Sequence, residues 1–356
     1  GQYLEVYRMW YEPAISSLPS LLDNAKTPAE WEKRREELFE ILCRGEYGYP
    51  AKLGLLGSRI NSCGSKTANV TLEIGAEHGS HPVELTMAWP GGDSVELTFV
   101  YIAFEPPGEE LIKLVTDSGF ALCTFIYKNV TSDDGDMSNG LSGKVYGEGI
   151  KTPADRPEFG CGKIMMWAQT ACLVADWLAG QQFVDPGRIA VIGHSRLGKT
   201  ALVAGAMSGR FAFVISNNSG CSGDAITRGK RGERVADITQ RFPYWFCNAY
   251  AQYAGREEDM PFDQHYLMAL SAPRRLLVGA AEEDLWADPR ASYLCCVAAS
   301  PAWKLYGGTG VELMDREPAA GDVLHGGEIG YHLRAGEHRL KLEDWKQYIS
   351  YIKWHM

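Results

Sequence analysis

The chain has 356 residues, of which 45% are hydrophobic and 22% charged, a composition typical of a folded globular protein with a sizeable core. Its formal net charge of -10, without any dense block of Lys and Arg, argues against nucleic acid as a partner. No apolar stretch approaches the length of about eighteen residues that a membrane-spanning helix needs, so we expect no membrane partner.

The nine cysteines are an odd number and lack the paired spacing of a metal site. We expect most of them to be small buried hydrophobic side chains rather than disulfide partners or zinc ligands. Free cysteines and the lack of a signal-peptide pattern in the first residues, GQYLEVYRMWYEP, favour the cytoplasm. Export stays open as an alternative, because the start of a chain can be trimmed.

The first part of the chain predicts a helix, three strands, a short helix and a fourth strand, in the order 29–43, 67–77, 81–90, 95–104, 111–119 and 119–127. The polar, Gly-rich segment 128–149 follows and is predicted to be a long loop. Loops of that length in compact domains are usually functional or mobile.

The second part alternates helices and strands in the order 163–181, 184–193, 201–207, 211–217, 274–280, 291–299, 327–334 and 342–354, beginning and ending with a helix. This alternation predicts an α/β fold with a mostly parallel, doubly wound sheet covered on both faces. No linker divides the chain, so we expect one domain over 1–356. Within it, 1–80 holds the N-terminal helix and first strands, and 221–270 is an insertion.

The stretch GHSRLGKT, residues 193–200, fits two patterns. Interpreted as GxxxxGK[ST], it predicts a phosphate-binding loop, and centred on Ser195 it predicts a strand-to-helix turn that presents a nucleophile. A phosphate-binding loop also needs a second strand ending in a metal-holding Asp, which only LLVGAAEED remotely resembles. Such domains usually open on the phosphate strand, whereas several strands precede this one. A P-loop nucleotide-binding protein is therefore the alternative of a different class.

The nucleophile hypothesis can be checked against the rest of the chain. In α/β-hydrolases an acid and then a histidine follow later strands, in the order Ser, acid, His. Asp284 stands just beyond the strand predicted at 274–280, and His338 beyond the strand predicted at 327–334. A serine hydroxyl needs a neutral imidazole to take its proton and a carboxylate to orient that imidazole. Ser195, His338 and Asp284 fill these roles at the carboxyl ends of three parallel strands.

Other residues compete for these roles. His332, His325 and His265 are rivals of His338 as the base, although His332 lies within a predicted strand, where a histidine more often serves packing. Glu283 and Asp288 are rivals of Asp284 as the acid. A serine at a strand-helix junction is also often only a helix N-cap.

The residues after Ser195 depart from the usual GxSxG pattern, because Leu197 takes the glycine position and Gly198 follows one residue later. We expect Leu197 to point into helix packing. Arg196 is placed to donate to the oxyanion of a tetrahedral intermediate, in addition to its own backbone amide. The alternative role of Arg196 is a surface ion pair.

The segments GHSRLGK, FVISNNSGCSG, RFPYWFC, MPFDQHYLMALSAPR, EEDLWADPR and GYHLRAGEHRLKLEDW together resemble the glucuronoyl esterases, carbohydrate esterase family fifteen, and most of all their bacterial branch. The resemblance runs from about residue 90 to the C-terminus. It implies a three-layer αβα sandwich of the α/β-hydrolase superfamily. It also implies hydrolysis of the ester between 4-O-methylglucuronic acid of glucuronoxylan and a lignin alcohol, without metal or cofactor.

Residue by residue, the resemblance makes Ser195 the nucleophile, Arg196 the oxyanion donor and Lys199 a ligand of the uronate ring hydroxyls. It also suggests Glu233 and Trp286 as sugar contacts. Lys199 stands one helical turn after Ser195 and so on the same helix face. Because polymeric xylan does not enter cells, the resemblance further implies a secreted or periplasmic enzyme.

One departure from the family pattern concerns the acid. Many members carry it as Glu after the next strand, in a context like NESG, where this chain has Asn217, Asn218, Ser219 and Gly220. An amide cannot stabilise an imidazolium by charge, and other bacterial members resemble this chain in placing the acid where Asp284 stands. The remaining alternatives are an acetylxylan or general carboxylesterase, which has no need of Lys199, and a weakly catalytic carbohydrate-binding relative.

Overall fold

The computed structural model of the chain describes residue 5 and residues 11–356, and in this part of the chain ten strands form one continuous sheet. The strands are β1 (Gly54–Cys63), β2 (Thr67–Ala76), β3 (Gly79–Ala88), β4 (Leu97–Ala103), β5 (Phe120–Ile126), β6 (Ile189–His194), β7 (Phe211–Asn217), β8 (Arg275–Ala281), β9 (Val323–Leu324) and β10 (Ile329–Arg334). The α-helices of the described residues are α1 (Glu12–Ile15), α2 (Pro28–Leu42), α3 (Glu109–Asp117), α4 (Tyr127–Val130), α5 (Gly140–Tyr146), α6 (Lys163–Ala179), α7 (Arg196–Met207), α8 (Val235–Arg241), α9 (Gln264–Ala269), α10 (Pro289–Ala299), α11 (Pro301–Lys304) and α12 (Leu342–His355).

The strand order is β1-β2-β3-β5-β4-β6-β7-β8-β10-β9. The six strands from β5 to β10 in this order run parallel, whereas β1, β2, β3 and β9 pair antiparallel with their neighbours. The parallel strands are buried on both faces, which is why they read in the sequence as nearly continuous apolar runs. The predicted mostly parallel sheet is confirmed.

Helices cover both faces of the sheet, as β6 shows. Val191 packs into a large cluster with residues of α6, α7 and α10, whereas its neighbours Ala190 and Ile192 pack with residues of α3 and α12. Successive side chains of a strand point to opposite faces, so one strand contributes to both layers. The result is the predicted three-layer αβα arrangement.

Three features differ from the predicted elements. The edge strand β1 was not predicted, because its mostly exposed sequence GLLGSRINSC lacks apolar alternation. The segment 128–149 is not wholly a loop, since it contains most of α4 and all of α5, which are too short to show a helical repeat. Helix α7 begins at Arg196 rather than at residue 201. Its first turn was not predicted because it contains Gly198, and glycine has a low helix propensity.

Two further expectations concern the cysteines and Leu197. All nine cysteines are free and seven are buried, which confirms that most serve as small hydrophobic side chains. Leu197 is fully buried in the helix-packing cluster, as expected. Within the described ranges, no helix combines the length and the apolar character needed to cross a bilayer.

Candidate active site

Ser195 occupies a sharp turn between β6 and α7. Its backbone adopts φ 58° and ψ -125°, a conformation uncommon for a residue with a side chain. Gly193 makes the turn feasible, because a Cβ there would lie 1.9 Å from the carbonyl oxygen of Leu197. The backbone N–H of Ser195 donates to the carbonyl of Asn217 in β7 at 2.8 Å. The side chain makes no N-cap hydrogen bond to α7, so its hydroxyl is available for another partner.

That partner is a histidine from the other end of the chain. Nε2 of His338 lies 3.0 Å from Oγ of Ser195, and Nδ1 of His338 lies 2.6 Å from Oδ2 of Asp284. Asp284 follows β8 and is 7% exposed, while His338 lies between β10 and α12 with 42% of its side chain exposed. The structure thus brings together the three side chains selected from the sequence, at the carboxyl ends of three parallel strands.

The rival histidines lie in other environments. His332 is buried in β10 and its Nε2 lies 2.7 Å from Oδ1 of Asp344. Nε2 of His265 lies 2.9 Å from the carbonyl oxygen of Pro19. Burial lowers the pKa of His325 to about 4. None of these three rings is hydrogen-bonded to the hydroxyl of residue 195 in the described structure.

The rival carboxylates are also engaged elsewhere or exposed. Oδ1 of Asp288 accepts from the backbone N–H of Ala291 at 3.4 Å, and its Oδ2 accepts from the N–H of Arg231 at 2.9 Å. Asp288 therefore caps helix α10. Glu283 is exposed, and no hydrogen bond joins its side chain to His338 in the described part of the chain.

His194, directly before the nucleophile, was missed in the sequence although it belongs to the same turn. Its ring centroid lies 4.6 Å from that of His338. Nδ1 of His194 is 2.8 Å from Oδ1 of Asn217, whose Nδ2 donates to the hydroxyl of Tyr348 in α12 at 2.7 Å. Burial, followed by the charge of His338, lowers the pKa of His194 to about 4. His194 therefore stays neutral near pH 7, and His338 can accept a proton without a second cation beside it.

Arg196 points toward a buried carboxylate rather than into bulk solvent. Its Nη1 donates to Oδ2 of Asp133, whose side chain is 4% exposed. Its Cζ lies 4.8 Å from the ring centroid of Trp245, 5.4 Å from that of Phe242 and 5.8 Å from that of Phe104. The ion pair expected as the alternative role of Arg196 exists, but it is partly buried and lies beside the nucleophile.

Lys199, Glu233 and Trp286, the residues that the resemblance suggested as sugar contacts, lie near one another. Lys199 is buried, and its Nζ donates to the carbonyl of Ser219. Burial lowers the pKa of Lys199, and the charge of Glu233 is the strongest opposing influence. The backbone N–H of Glu233 donates to the carbonyl of Trp286 at 3.0 Å, and the Trp286 side chain is half-exposed. The arrangement offers a cation, a carboxylate and an indole face within one region.

Asn218, at the position where many family members carry the acid, does not replace that acid. It is buried with φ 49°, and neither its amide oxygen nor its amide nitrogen has a hydrogen-bond partner among the described residues. The carboxylate that binds His338 comes from Asp284.

Comparisons with known proteins identify the family of this chain. A family model described as "Glucuronyl esterase, fungi" matches residues 73–307. A carbohydrate esterase from an unknown prokaryotic organism is 38% identical over 251 residues, which is 70% of this chain and 56% of the relative. A 4-O-methyl-glucuronoyl methylesterase of Podospora anserina is 28% identical over 292 residues, 78% of this chain and 57% of the relative. The chain thus spans little more than half the length of these curated relatives.

Solved structures match over nearly the whole chain. A promiscuous esterase of carbohydrate esterase family 15 from a marine bacterial metagenome superposes with a TM-score of 0.82 at 28% identity, covering 95% of this chain and 97% of that one. A glucuronoyl esterase from Solibacter usitatus gives a TM-score of 0.80 at 29% identity, covering 94% and 97%. The family resemblance read from the sequence is confirmed, and this chain belongs to the glucuronoyl esterases, carbohydrate esterase family 15.

Proposed function

We propose that this protein is a serine carboxylesterase that hydrolyses esters of 4-O-methylglucuronic acid, such as those joining glucuronoxylan to lignin alcohols. The observation that carries the proposal is the hydrogen-bonded series Ser195–His338–Asp284 at the strand ends of a glucuronoyl esterase fold. Relatives named 4-O-methyl-glucuronoyl methylesterases, including that of Podospora anserina, support the uronate as the acyl group.

The first half of the reaction is acylation of Ser195. Its Oγ attacks the carboxyl carbon of the uronate ester while Nε2 of His338 takes the hydroxyl proton. Asp284 holds the ring so that Nε2 faces the serine, and it stabilises the imidazolium that forms. His338 then gives the proton to the departing alcohol, which leaves the glucuronoyl group esterified to Ser195. Water hydrolyses this acyl-enzyme by the same proton transfers in reverse order.

The negative charge on the carbonyl oxygen needs donors in both halves. The backbone N–H of Arg196 lies at the first position of α7, where an amide has no intrahelical acceptor. The guanidinium of Arg196 adds a charged donor beside it. Removing one such donor from an esterase typically slows catalysis about 100- to 1,000-fold.

Recognition of the sugar involves Lys199, Glu233 and Trp286, which lie near one another. Lys199 and Glu233 provide a donor and an acceptor for the ring hydroxyls, and the exposed face of Trp286 provides an apolar surface for the pyranose. Such a polar set favours a hydroxylated acyl group over acetate, because an acyl group without hydroxyls leaves these side chains unpaired.

The test compares benzyl glucuronate with 4-nitrophenyl acetate and acetylated xylan as substrates. We expect kcat/KM to be at least about tenfold higher for benzyl glucuronate than for acetylated xylan. Equal kcat/KM values on benzyl glucuronate and acetylated xylan would favour a general or acetyl esterase. The similar solved structure described as a promiscuous esterase makes this outcome relevant. The nucleotide-binding alternative is tested by a thermal melt with Mg-ATP, in which we expect no stabilisation.

We also propose that the enzyme works outside the cytoplasm, because its polymeric substrate does not enter cells. Fractionation of the source cells checks this, and activity confined to the cytoplasm would point to imported oligosaccharides instead.

A further inference from the structure

Asp133 lies in the segment 128–149 and has a side chain that is almost wholly buried. Both of its carboxylate oxygens have donors: Oδ2 accepts from the hydroxyl of Tyr127 at 2.6 Å and from Nη1 of Arg196, and Oδ1 accepts from Nε1 of Trp245 at 2.8 Å. Three donors on one carboxylate leave it little freedom to rotate. The Asp133 carboxylate is therefore a fixed charge next to Arg196.

The backbone around Asp133 is fixed as well. The ammonium of Lys163, at the start of α6, donates to the carbonyl oxygens of Ser132, Asp134 and Asp136 at 2.6, 2.9 and 3.0 Å. The Lys163 side chain is fully buried. A buried cation that binds three carbonyls of one loop holds that loop in a single shape. These hydrogen bonds tie the backbone on both sides of Asp133 to the start of α6.

The guanidinium of Arg196 depends on Asp133 for its direction. Phe242 and Trp245 stack with a centroid distance of 3.7 Å and an interplanar angle of 5°, and Arg196 packs against both rings. Aromatic faces attract a cation but leave its rotation free, since they offer no directional acceptor. Asp133 accepts a hydrogen bond from this guanidinium, and Arg196 Nε is buried without a hydrogen-bond partner in the described structure.

We propose that Asp133 is a positioning residue, which orients the guanidinium of Arg196 so that it donates to the oxyanion of the tetrahedral intermediate. Asp133 itself does not touch the substrate and acts through Arg196. The inference rests on the proposed esterase function, and it predicts that the loss of Asp133 affects the rate of the chemical step more than the binding of the substrate.

The experiment is a double-mutant cycle of Asp133→Asn and Arg196→Ala, with kcat and KM measured on benzyl glucuronate and on 4-nitrophenyl acetate. In the enzyme with Arg196 intact, we expect Asp133→Asn to lower kcat about tenfold or more and to change KM less than about twofold. In the Arg196→Ala background the same change is expected to lower kcat less than about threefold. Glu148→Gln is the matched control, because it removes a charge from an exposed residue of the same segment 128–149, which has no hydrogen bond to Arg196 in the described structure. We expect it to leave kcat unchanged.

A second variant covers the case in which Asp133→Asn does not fold. Trp245→Phe removes the N–H that binds Oδ1 of Asp133, together with one ring of the indole, and keeps an aromatic face against Arg196. A smaller loss of kcat, again absent in the Arg196→Ala background, supports the proposal. Equal losses in both backgrounds, or no loss at all, would overturn it. A wild-type enzyme without preference for the uronate ester would contradict the proposed function instead. The double-mutant cycle could then still be measured with 4-nitrophenyl acetate as the substrate.

Discussion

Asp284 and His338, 54 positions apart in the chain, are joined by a hydrogen bond of 2.6 Å between Oδ2 and Nδ1. This bond orients the imidazole so that its other nitrogen faces the serine hydroxyl at 3.0 Å. It also identifies which of three neighbouring carboxylates is placed to stabilise the imidazolium.

The Asp284→Asn variant should therefore be nearly inactive. The amide cannot stabilise the imidazolium by charge and favours the wrong ring tautomer, so we expect kcat on benzyl glucuronate to fall about 10,000-fold. The Glu283→Gln variant is the matched control, since its side chain is exposed and is expected to leave kcat within about twofold. A normal rate for Asp284→Asn would remove this residue from the mechanism.

Substitution of Asn218 should have little effect on catalysis. Its amide makes no hydrogen bond to any described residue, so we expect Asn218→Ala to keep kcat within about threefold of the wild type. Asn217→Ala is the comparison, because Asn217 binds both His194 and Tyr348. Losing these two buried hydrogen bonds should lower the free energy of unfolding by about 2 kcal/mol in urea titrations. A large loss of kcat in Asn218→Ala would show that position 218 still serves the histidine.

Trp286 should contribute to substrate binding without supporting the fold. Because its indole is half-exposed, we expect Trp286→Ala to raise KM for benzyl glucuronate roughly fivefold to tenfold and to change the melting temperature little. Leu285→Ala truncates the neighbouring exposed side chain and serves as the control in the same assays. If both variants bind the ester as well as the wild type does, the sugar contacts lie elsewhere.

Glu46 makes stability depend on pH. It is fully buried in the short helical turn after α2, and burial raises its pKa from 4.5 to about 8. Between these values the folded state binds a proton that the unfolded state has released, so the free energy of unfolding falls as the pH rises. Glu46→Gln removes this titrating group. The free energy of unfolding of the variant, relative to that of the wild type, should therefore increase by up to about 5 kcal/mol from pH 4.5 to pH 8.

Urea unfolding at several pH values across that window measures this difference. Glu36→Gln, on the exposed side of α2, is the control, and its stability relative to the wild type should stay constant. A constant difference for Glu46→Gln as well would mean that Glu46 is ionised in the folded protein throughout the window.

The fold and the hydrogen-bonded series were predictable because each depends on a pattern that is local in sequence. Strands such as β6 and β7 are apolar runs. A serine, an acid and a histidine that follow the parallel strands β6, β8 and β10 lie at the same carboxyl end of the sheet. The contact of Arg196 with Asp133 joins residues 63 positions apart and depends on how a polar loop folds, which no periodicity reveals. The edge strand β1 was missed for a related reason, since its pairing with β2 leaves no apolar pattern on an exposed surface.

The most direct test of the central claim is a crystal structure of the Ser195→Ala variant with benzyl glucuronate bound. We expect the ester carbon to lie about 3 to 3.5 Å from the position of the removed hydroxyl, which is the distance from which Oγ can attack. The carbonyl oxygen should point toward Arg196, and the sugar should lie beside Trp286. A uronate bound with its ester carbon remote from residue 195, in a variant that still hydrolyses the ester at the wild-type rate, would contradict the account.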